Sequence, residues 1–422
     1  MPLERGPAHT TLIFSMRTET AACRARTWLW GTVIFGILAL HGPQAQAADN
    51  VYLTGVPDYE WHQACFGTAT GNLIGFWDRH GLPNFYTGPT AGGVAPLDSY
   101  ENTTNAGIRS LWMSMAGRDG RPADMMGHED DYYIRYESTR DDPYITHGRP
   151  EHAPDCIGDF IGMNQKKWTL MDGECDGNID GYVYNYWDKT GARRWNYTPD
   201  TTAGEPAVDL QSGLRAFARY RGYAADTFSQ YADFNPDIPV PGNGFGYDDL
   251  KAEIDAGYPV LIFLQNYPEK SRPFDGMPQA NPSIHGMLAT GYYIDDVGTR
   301  FVRARTSWAL GDQYYRWTSA SWVSWTPLPV RGVIAFHPLP RILSFEIKGD
   351  EIRLHWEGPD AELFDQIEQV ARKAHWYVLE KATALNPSDF TPVAPPTTAR
   401  ELTVSACCPG TAFYRLRVVS SP

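Results

Sequence analysis

The stretch YDDLKAEIDAGYPVLIFLQ, from Tyr247 to Gln265, constrains this chain most. Leu250 and Ile254 lie one helical turn apart among carboxylates, so the segment opens as a short amphipathic helix. Gly257 ends it, because glycine closes helices in the left-handed conformation at no steric cost. PVLIFL then reads as a buried strand. HGMLATGYYIDD, His285 to Asp296, predicts a second strand rich in small residues. Asp295 to Gly298 form a turn, and RFVRARTSW, Arg300 to Trp308, runs back as a third strand. YYRWTSASWVSW and RGVIAFHPL finish this unit near Leu339.

The N-terminus bears on the compartment. Arg24 and Arg26 precede an apolar run from Thr27 to Leu40, and small residues follow at Ala45 to Ala48. This is the pattern of a secretory signal peptide, with cleavage expected after Ala47. The long polar lead makes Met16 an alternative start, and an uncleaved membrane anchor is the alternative reading of the run. No second apolar run is long enough to span a bilayer, so the mature chain is expected to be secreted or periplasmic, with no membrane after cleavage. A net charge of −14 without a basic stripe argues against nucleic acid as a partner. With 42% hydrophobic and 20% charged residues, the 422-residue chain is expected to pack as two or three globular domains.

Export changes the reading of the cysteines. Of six, Cys23 leaves with the signal peptide, and Cys65, Cys156, Cys175, Cys407 and Cys408 remain. An odd number in an oxidising compartment leaves at least one thiol outside a disulfide. Cys156 and Cys175 can pair across a loop-rich stretch, whereas adjacent Cys407 and Cys408 bond awkwardly. Cys65 is the natural odd one out. It stands just ahead of Ala69, Leu73, Phe76 and Trp77, which fall at helical spacing, with Gly81 and Pro83 as the stop. A thiol at a helix N-terminus feels the positive end of the macrodipole, which favours the thiolate. The alternative is a small buried hydrophobe.

Leu82 to Pro241 reads as a long irregular region rich in Gly, Asp, Tyr and Asn, with GLRAFARYRGY, Gly213 to Tyr223, as a short helix. Asp176, Asn178, Asp180 and Gly181 resemble the start of a calcium loop, but Trp187 occupies the twelfth position, so an Asp-rich turn is expected instead. No cluster has zinc spacing, and neither a P-loop nor a dinucleotide fingerprint occurs, so no cofactor is expected. From Pro340 to Pro422, EIRLHW, WYVLEKA and AFYRLRVV alternate between turns, the pattern of a small β-sandwich. Trp356 and Trp376 or Tyr377 are its expected core.

A thiolate nucleophile needs a base within hydrogen-bond reach and an orienting partner for that base. His285 is the best of 11 histidines, because it opens a strand and precedes Gly286. Its alternative is a strand-edge histidine satisfied by a backbone carbonyl. His62, His80, His128 and His152 are expected to be surface or packing residues.

Taken in order, several motifs resemble the C39-like branch of the papain-like cysteine peptidases. They are Val56, Pro57, Tyr59 and Trp61; Cys65 with Thr68 and Ala69; Gly75, Trp77 and Asp78; Ile254 to Val260; and His285 with its small apolar successors. The likeness runs from about Val51 to His337. It implies an α+β, papain-like fold with a large irregular insertion over residues 48–339, after a signal peptide at 1–47 and before a small fibronectin type III-like sandwich at 340–422. It also implies peptide-bond hydrolysis, with Cys65 as nucleophile and His285 as proton shuttle. Gln63 and the Cys65 N–H would bind the oxyanion. The chain departs from the pattern at Gly67, where Pro is expected, and at Gln63, which stands closer to the cysteine than usual. Thr306 and Ser307 replace the expected Asp or Asn orienter, so the hydroxyl of one of them, Thr306 first, is expected to hold the imidazole. Asp312 is the nearest later carboxylate. The partners implied are a peptide or protein substrate, with a surface glycan or protein partner for the C-terminal domain. The alternatives are an inactive relative that binds peptides or surface glycans, and a cell-wall peptide amidase.

Overall fold

A computed structural model describes residues 10–12, 49–61, 65–85, 94–97, 157–161, 185–187, 193–196, 210–233, 244–265, 284–320, 322, 329–364, 374–405 and 412–420. Along the chain, β1 (Thr10–Leu12) and β2 (Asp49–Tyr52) precede helix α1 (Cys65–Arg79). Helix α2 (Ile157–Ile161) and a hairpin of β3 (Asn185–Trp187) and β4 (Arg193–Asn196) follow, then α3 (Leu210–Tyr220) and β5 (Ala225–Tyr231). Helix α4 (Tyr247–Asp255) leads into β6 (Val260–Gln265), β7 (Ile284–Ile294), β8 (Arg300–Arg305), β9 (Gln313–Arg316) and β10 (Val330–Pro338). The last part holds β11 (Arg341–Lys348), β12 (Glu351–Glu357), β13 (Trp376–Ala382), β14 (Thr391–Pro392), β15 (Glu401–Ser405) and β16 (Phe413–Val419). Few helices and mostly antiparallel sheets make the architecture α+β.

The main sheet runs β5-β10-β6-β7-β8-β9. Its long strand β7 pairs with β8 along one edge. Along the other edge β6 pairs with Ile284 to Ala289, and β2 takes over from Gly291 to Ile294. Helix α1 is buried from Cys65 to Asp78, as expected of a helix that is apolar or small-sided all round. Its end follows the sequence: Arg79 is last, and Gly81 has φ +106°. Helix α4 also follows its pattern. The backbone N–H of Gly246 donates to Asp249 Oδ2 (2.7 Å), and Gly257 closes the helix at φ +86°.

The region read as irregular contains an edge strand that hydropathy alone misses. Thr227 and Ser229 on β5 are buried, and Gln211 of α3 satisfies them. Ser229 Oγ donates to Gln211 Oε1 (2.5 Å), Gln211 Nε2 donates to the Thr227 carbonyl (2.9 Å), and Thr227 Oγ1 donates to the Gln211 carbonyl (3.1 Å). Helix α3 begins three residues before the expected Gly213 and ends at Tyr220. Ala47, Cys156, Cys175, Cys407, Cys408 and the Asp176–Asn178–Asp180 turn lie outside the described residues. Among those described, no helix is long and apolar enough to cross a membrane.

Two sheets, β11-β12-β15 and β1-β16-β13-β14, enclose a second core containing Trp356, Tyr377, Leu379, Tyr414 and Leu416. The Trp356 and Tyr377 rings meet edge to face at 5.6 Å, whereas Trp376 is half-buried. The boundary expected at Pro340 does not separate the cores. Leu363, Phe364 and Ala374 belong to the main core, and Thr54 N–H donates to the Leu363 carbonyl at 2.8 Å. A chain ending before Pro340 strips these residues from the main core. Each large side chain lost removes about 2 kcal/mol of burial. Such a chain is expected to melt at lower temperature, or without cooperativity, by differential scanning calorimetry.

Histidines line the junction. Tyr258 stacks on His337 at 3.9 Å and meets His375 at 5.0 Å. His337 Nε2 bonds Glu253 at 2.6 Å, and Arg400 pairs with Asp360 at 2.5 Å. His375 is fully buried, and its Nδ1–H donates to the Asp360 carbonyl (2.7 Å). Burial holds its pKa down to about 4; the Asp360 carbonyl opposes this, while His337, Arg400 and His80 add to it. Burial lowers His80 as well. The unfolded chain takes up a proton at His375 below about 6.5, whereas the folded chain does so only near 4. Stability therefore falls as pH drops through that window, by about 2 kcal/mol between pH 7 and pH 5 from His375. Thermal melts should show this loss, and His375→Phe should flatten it even if its melting temperature at pH 7 is lower.

Candidate active site

Cys65 is the first residue of α1, 3% exposed, and its thiol is not part of a disulfide. The first helical turn carries no acidic side chain, so no carboxylate within that turn offsets the unpaired N–H groups there. The segment ahead of the helix is tied along it. Tyr59 N–H donates to Asn72 Oδ1 (2.9 Å), and Tyr59 Oη donates to the Pro96 carbonyl (2.8 Å). Gly75 makes this approach possible, because a Cβ there would stand 2.8 Å from Tyr59 Oη and 2.9 Å from Pro57 Cγ.

His285 lies near the start of β7 and is 3% exposed. Its neighbour Gly286 receives the ring of Phe66: a Cβ at 286 would meet Phe66 Cδ1 at 2.5 Å. The first turn of α1 is thereby set against the start of β7, and Cys65 and His285 are each one residue from the contact. Helix α1 and strand β7, which carry Cys65 and His285, thus pack against each other.

The hydrogen bond of His285 runs from Nε2 to the Thr306 carbonyl, at 2.8 Å. A carbonyl only accepts, so Nε2 carries a proton, and the neutral tautomer that fits this contact has its lone pair at Nδ1. The Trp308 ring stacks over the imidazole at 3.6 Å and 15°, with 39% of the residue exposed. Thr306 is thus beside the ring as expected, but through its main chain. Its hydroxyl instead accepts from Trp308 N–H (3.2 Å). Ser307 is buried with φ +63°, and its Oγ has no hydrogen-bond partner among the described residues. That left-handed conformation costs a serine roughly 1–2 kcal/mol. It turns the chain between Thr306 and Trp308, which both contact His285.

Asp312 does not reach the imidazole. It is held by Arg303 (2.5 Å), by Arg305 (3.4 Å) and by Thr290 Oγ1 (3.1 Å). His80 is occupied elsewhere, with Nε2 bonded to the Thr54 carbonyl at 2.9 Å. Gln63, His62, His128 and His152 lie outside the described residues. Among those described, no group of three or more His, Cys, Asp or Glu side chains is arranged to hold a metal ion. Sequence reading gave no role to Trp308, although an aromatic residue two positions past the expected orienter was a usable signal.

Gly286→Ala tests the contact between α1 and β7. The added methyl must displace a buried aromatic ring, and overpacking of this kind costs about 1–3 kcal/mol. The variant should melt earlier, and Cys65 alkylation in it should slow more than in Gly298→Ala, where a Cβ meets nothing within 4 Å. Compared with protein-family models and with curated proteins, the chain matches none.

Proposed function

We propose that this protein is a secreted or periplasmic cysteine peptidase of papain-like, C39-like type, hydrolysing peptide bonds through Cys65 and His285. One observation carries the reading. A thiol at the first residue of a buried helix is packed, through Phe66 on Gly286, against the strand that bears an imidazole with its lone pair at Nδ1.

The chemistry follows from those groups. Nδ1 of His285 takes the Cys65 proton, leaving a thiolate at the positive end of α1. The sulfur attacks the peptide carbonyl carbon, and the oxyanion is bound by the Cys65 N–H with Gln63. Collapse of the tetrahedral adduct breaks the C–N bond, and the imidazolium gives its proton to the departing amine. Water, deprotonated by Nδ1, then cleaves the thioester, releases the acid and restores the thiol. The Thr306 carbonyl keeps the ring in the tautomer this cycle needs, and Trp308 covers one face of it.

A second reading rests on the same carbonyl. It is neutral and stabilises the imidazolium less than a carboxylate would, which favours a slow or inactive relative that binds peptides. A peptide vinyl sulfone separates the two. A peptidase should be labelled at Cys65 in the mature protein, with labelling lost in Cys65→Ala and reduced about 10²-fold or more in His285→Ala. Labelling that persists in Cys65→Ala, or an unmodified Cys65, would remove the nucleophile assignment. Turnover of cell-wall stem peptides without turnover of a peptide library would point to the amidase.

A further inference from the structure

We infer that Asp58 is a positioning residue for His285, acting through the turn at residues 306–311; the inference rests on the Cys65–His285 reading above. The turn leaves β8 at Arg305 and re-enters the sheet near Asp312, and these residues pair at its neck (3.4 Å). Arg303 fixes the far carboxylate oxygen with two contacts of 2.5 and 2.6 Å, and Thr290 Oγ1 donates to the near one. The neck is thus closed from within the sheet.

Asp58 closes the turn from outside it. Its Oδ2 accepts the N–H of Gly311 at 2.5 Å and faces Arg305 Nη1 at 3.5 Å. Arg305 Nη2 in turn donates to the Val56 carbonyl at 3.4 Å. The Asp58 side chain is 8% accessible, so these contacts are sheltered from water. Gly311 has φ +83°, and a Cβ there would meet nothing within 4 Å. Glycine is therefore required at 311 for its backbone angle rather than for space.

Between these anchors sits Ser307, held at φ +63°. A non-glycine residue stays in that conformation only where its surroundings over-determine it. The two carboxylates supply that constraint at the base of the turn, Asp312 through Arg303 and Arg305, and Asp58 through Arg305 and the Gly311 N–H. What the turn presents is the Thr306 carbonyl at Nε2 and the Trp308 ring over the imidazole. If the Asp58 contacts are released, Ser307 relaxes, the carbonyl leaves Nε2, and the proton redistributes between the ring nitrogens. A ring protonated at Nδ1 cannot take a proton there.

The test uses the full mature chain. Cys65 carboxamidomethylation by iodoacetamide is followed from pH 5 to 9 in wild type, Asp58→Ala, Asp58→Leu, Asp58→Asn and His285→Ala. The His285 tautomer is read from ring ¹⁵N shifts. Wild type should show the Nε2–H tautomer and reactivity extending below the pH range of an ordinary thiol. Asp58→Ala and Asp58→Leu should move the pH profile toward that of an ordinary thiol, with alkylation about tenfold slower at pH 6 and mixed tautomers. Asp58→Asn should recover much of the rate, since its amide oxygen can still accept the Gly311 N–H. A wild-type profile and tautomer in cooperatively folded Asp58→Ala or Asp58→Leu would overturn the inference. So would loss of cooperative melting in both, since Asp58 would then hold the fold and not the ring. The underlying reading fails separately, if wild-type Cys65 reacts as an ordinary thiol and His285→Ala changes nothing.

Discussion

Phe66 lies where the first side-chain carbon of residue 286 would stand, and this sets how closely α1 approaches β7. The helix is a poor one by intrinsic preference. It contains Gly67, Gly71 and Gly75, each costing roughly 0.5–1 kcal/mol relative to alanine. Burial from Cys65 to Asp78 must more than offset that, so tertiary packing maintains the helix. The same glycine that weakens it admits Tyr59 and Pro57 against its side. A helix fixed by neighbours on every face holds its first residue in a defined place, which a nucleophile requires.

Under the proposed mechanism, His285 as base is controlled differently. In triads with a buried carboxylate, loss of that group costs about 10⁴-fold, largely because the imidazole adopts the wrong tautomer. Here the Thr306 carbonyl selects the tautomer without contributing a charge. The tautomer is retained and the Coulombic stabilisation of the imidazolium is not. Thiolate stabilisation then falls more heavily on the N-terminus of α1, which supplies up to about 2 kcal/mol in a partly buried setting. With Cys65 only 3% exposed, its thiol is sheltered from oxidants, since exposure governs which thiolates oxidise.

Sequence reading succeeded where one residue type carries a unique backbone or chemical demand. Gly257 and Gly81 marked helix ends, and both adopt positive φ there. It failed where the acting group is common to every residue. Thr306 was singled out for its hydroxyl, yet its carbonyl touches the ring, and nothing in the letter T distinguishes the two. It failed again at β5, whose inward side chains are hydroxyls satisfied by Gln211, so no apolar alternation marks the strand. Asp58 was equally hidden. Its partners, Gly311 and Arg305, lie about 250 positions away in sequence, and a single sequence carries no trace of that pairing.

The second module meets α1 at the end opposite Cys65. Trp77 approaches His375 at 6.0 Å, and a Cβ on Gly81 would stand 2.0 Å from the Gly358 carbonyl. A 15-residue helix is roughly 22 Å long. Through this contact the module cannot touch a substrate at Cys65; what it can do is hold the far end of the helix. Its grip combines the apolar residues Leu363, Phe364 and Ala374 with directed contacts: Asp360 N–H donates to the His80 carbonyl (3.0 Å), and the Asp360 carbonyl accepts from His375. Such contacts are directional; burial disfavours a charge on His375, while its Nδ1–H bond to the Asp360 carbonyl opposes that penalty. A helix whose N-terminus carries the thiol is thus held at its C-terminus by the second module, through the backbone bond from Asp360 to His80 and the packing of His375 near Trp77.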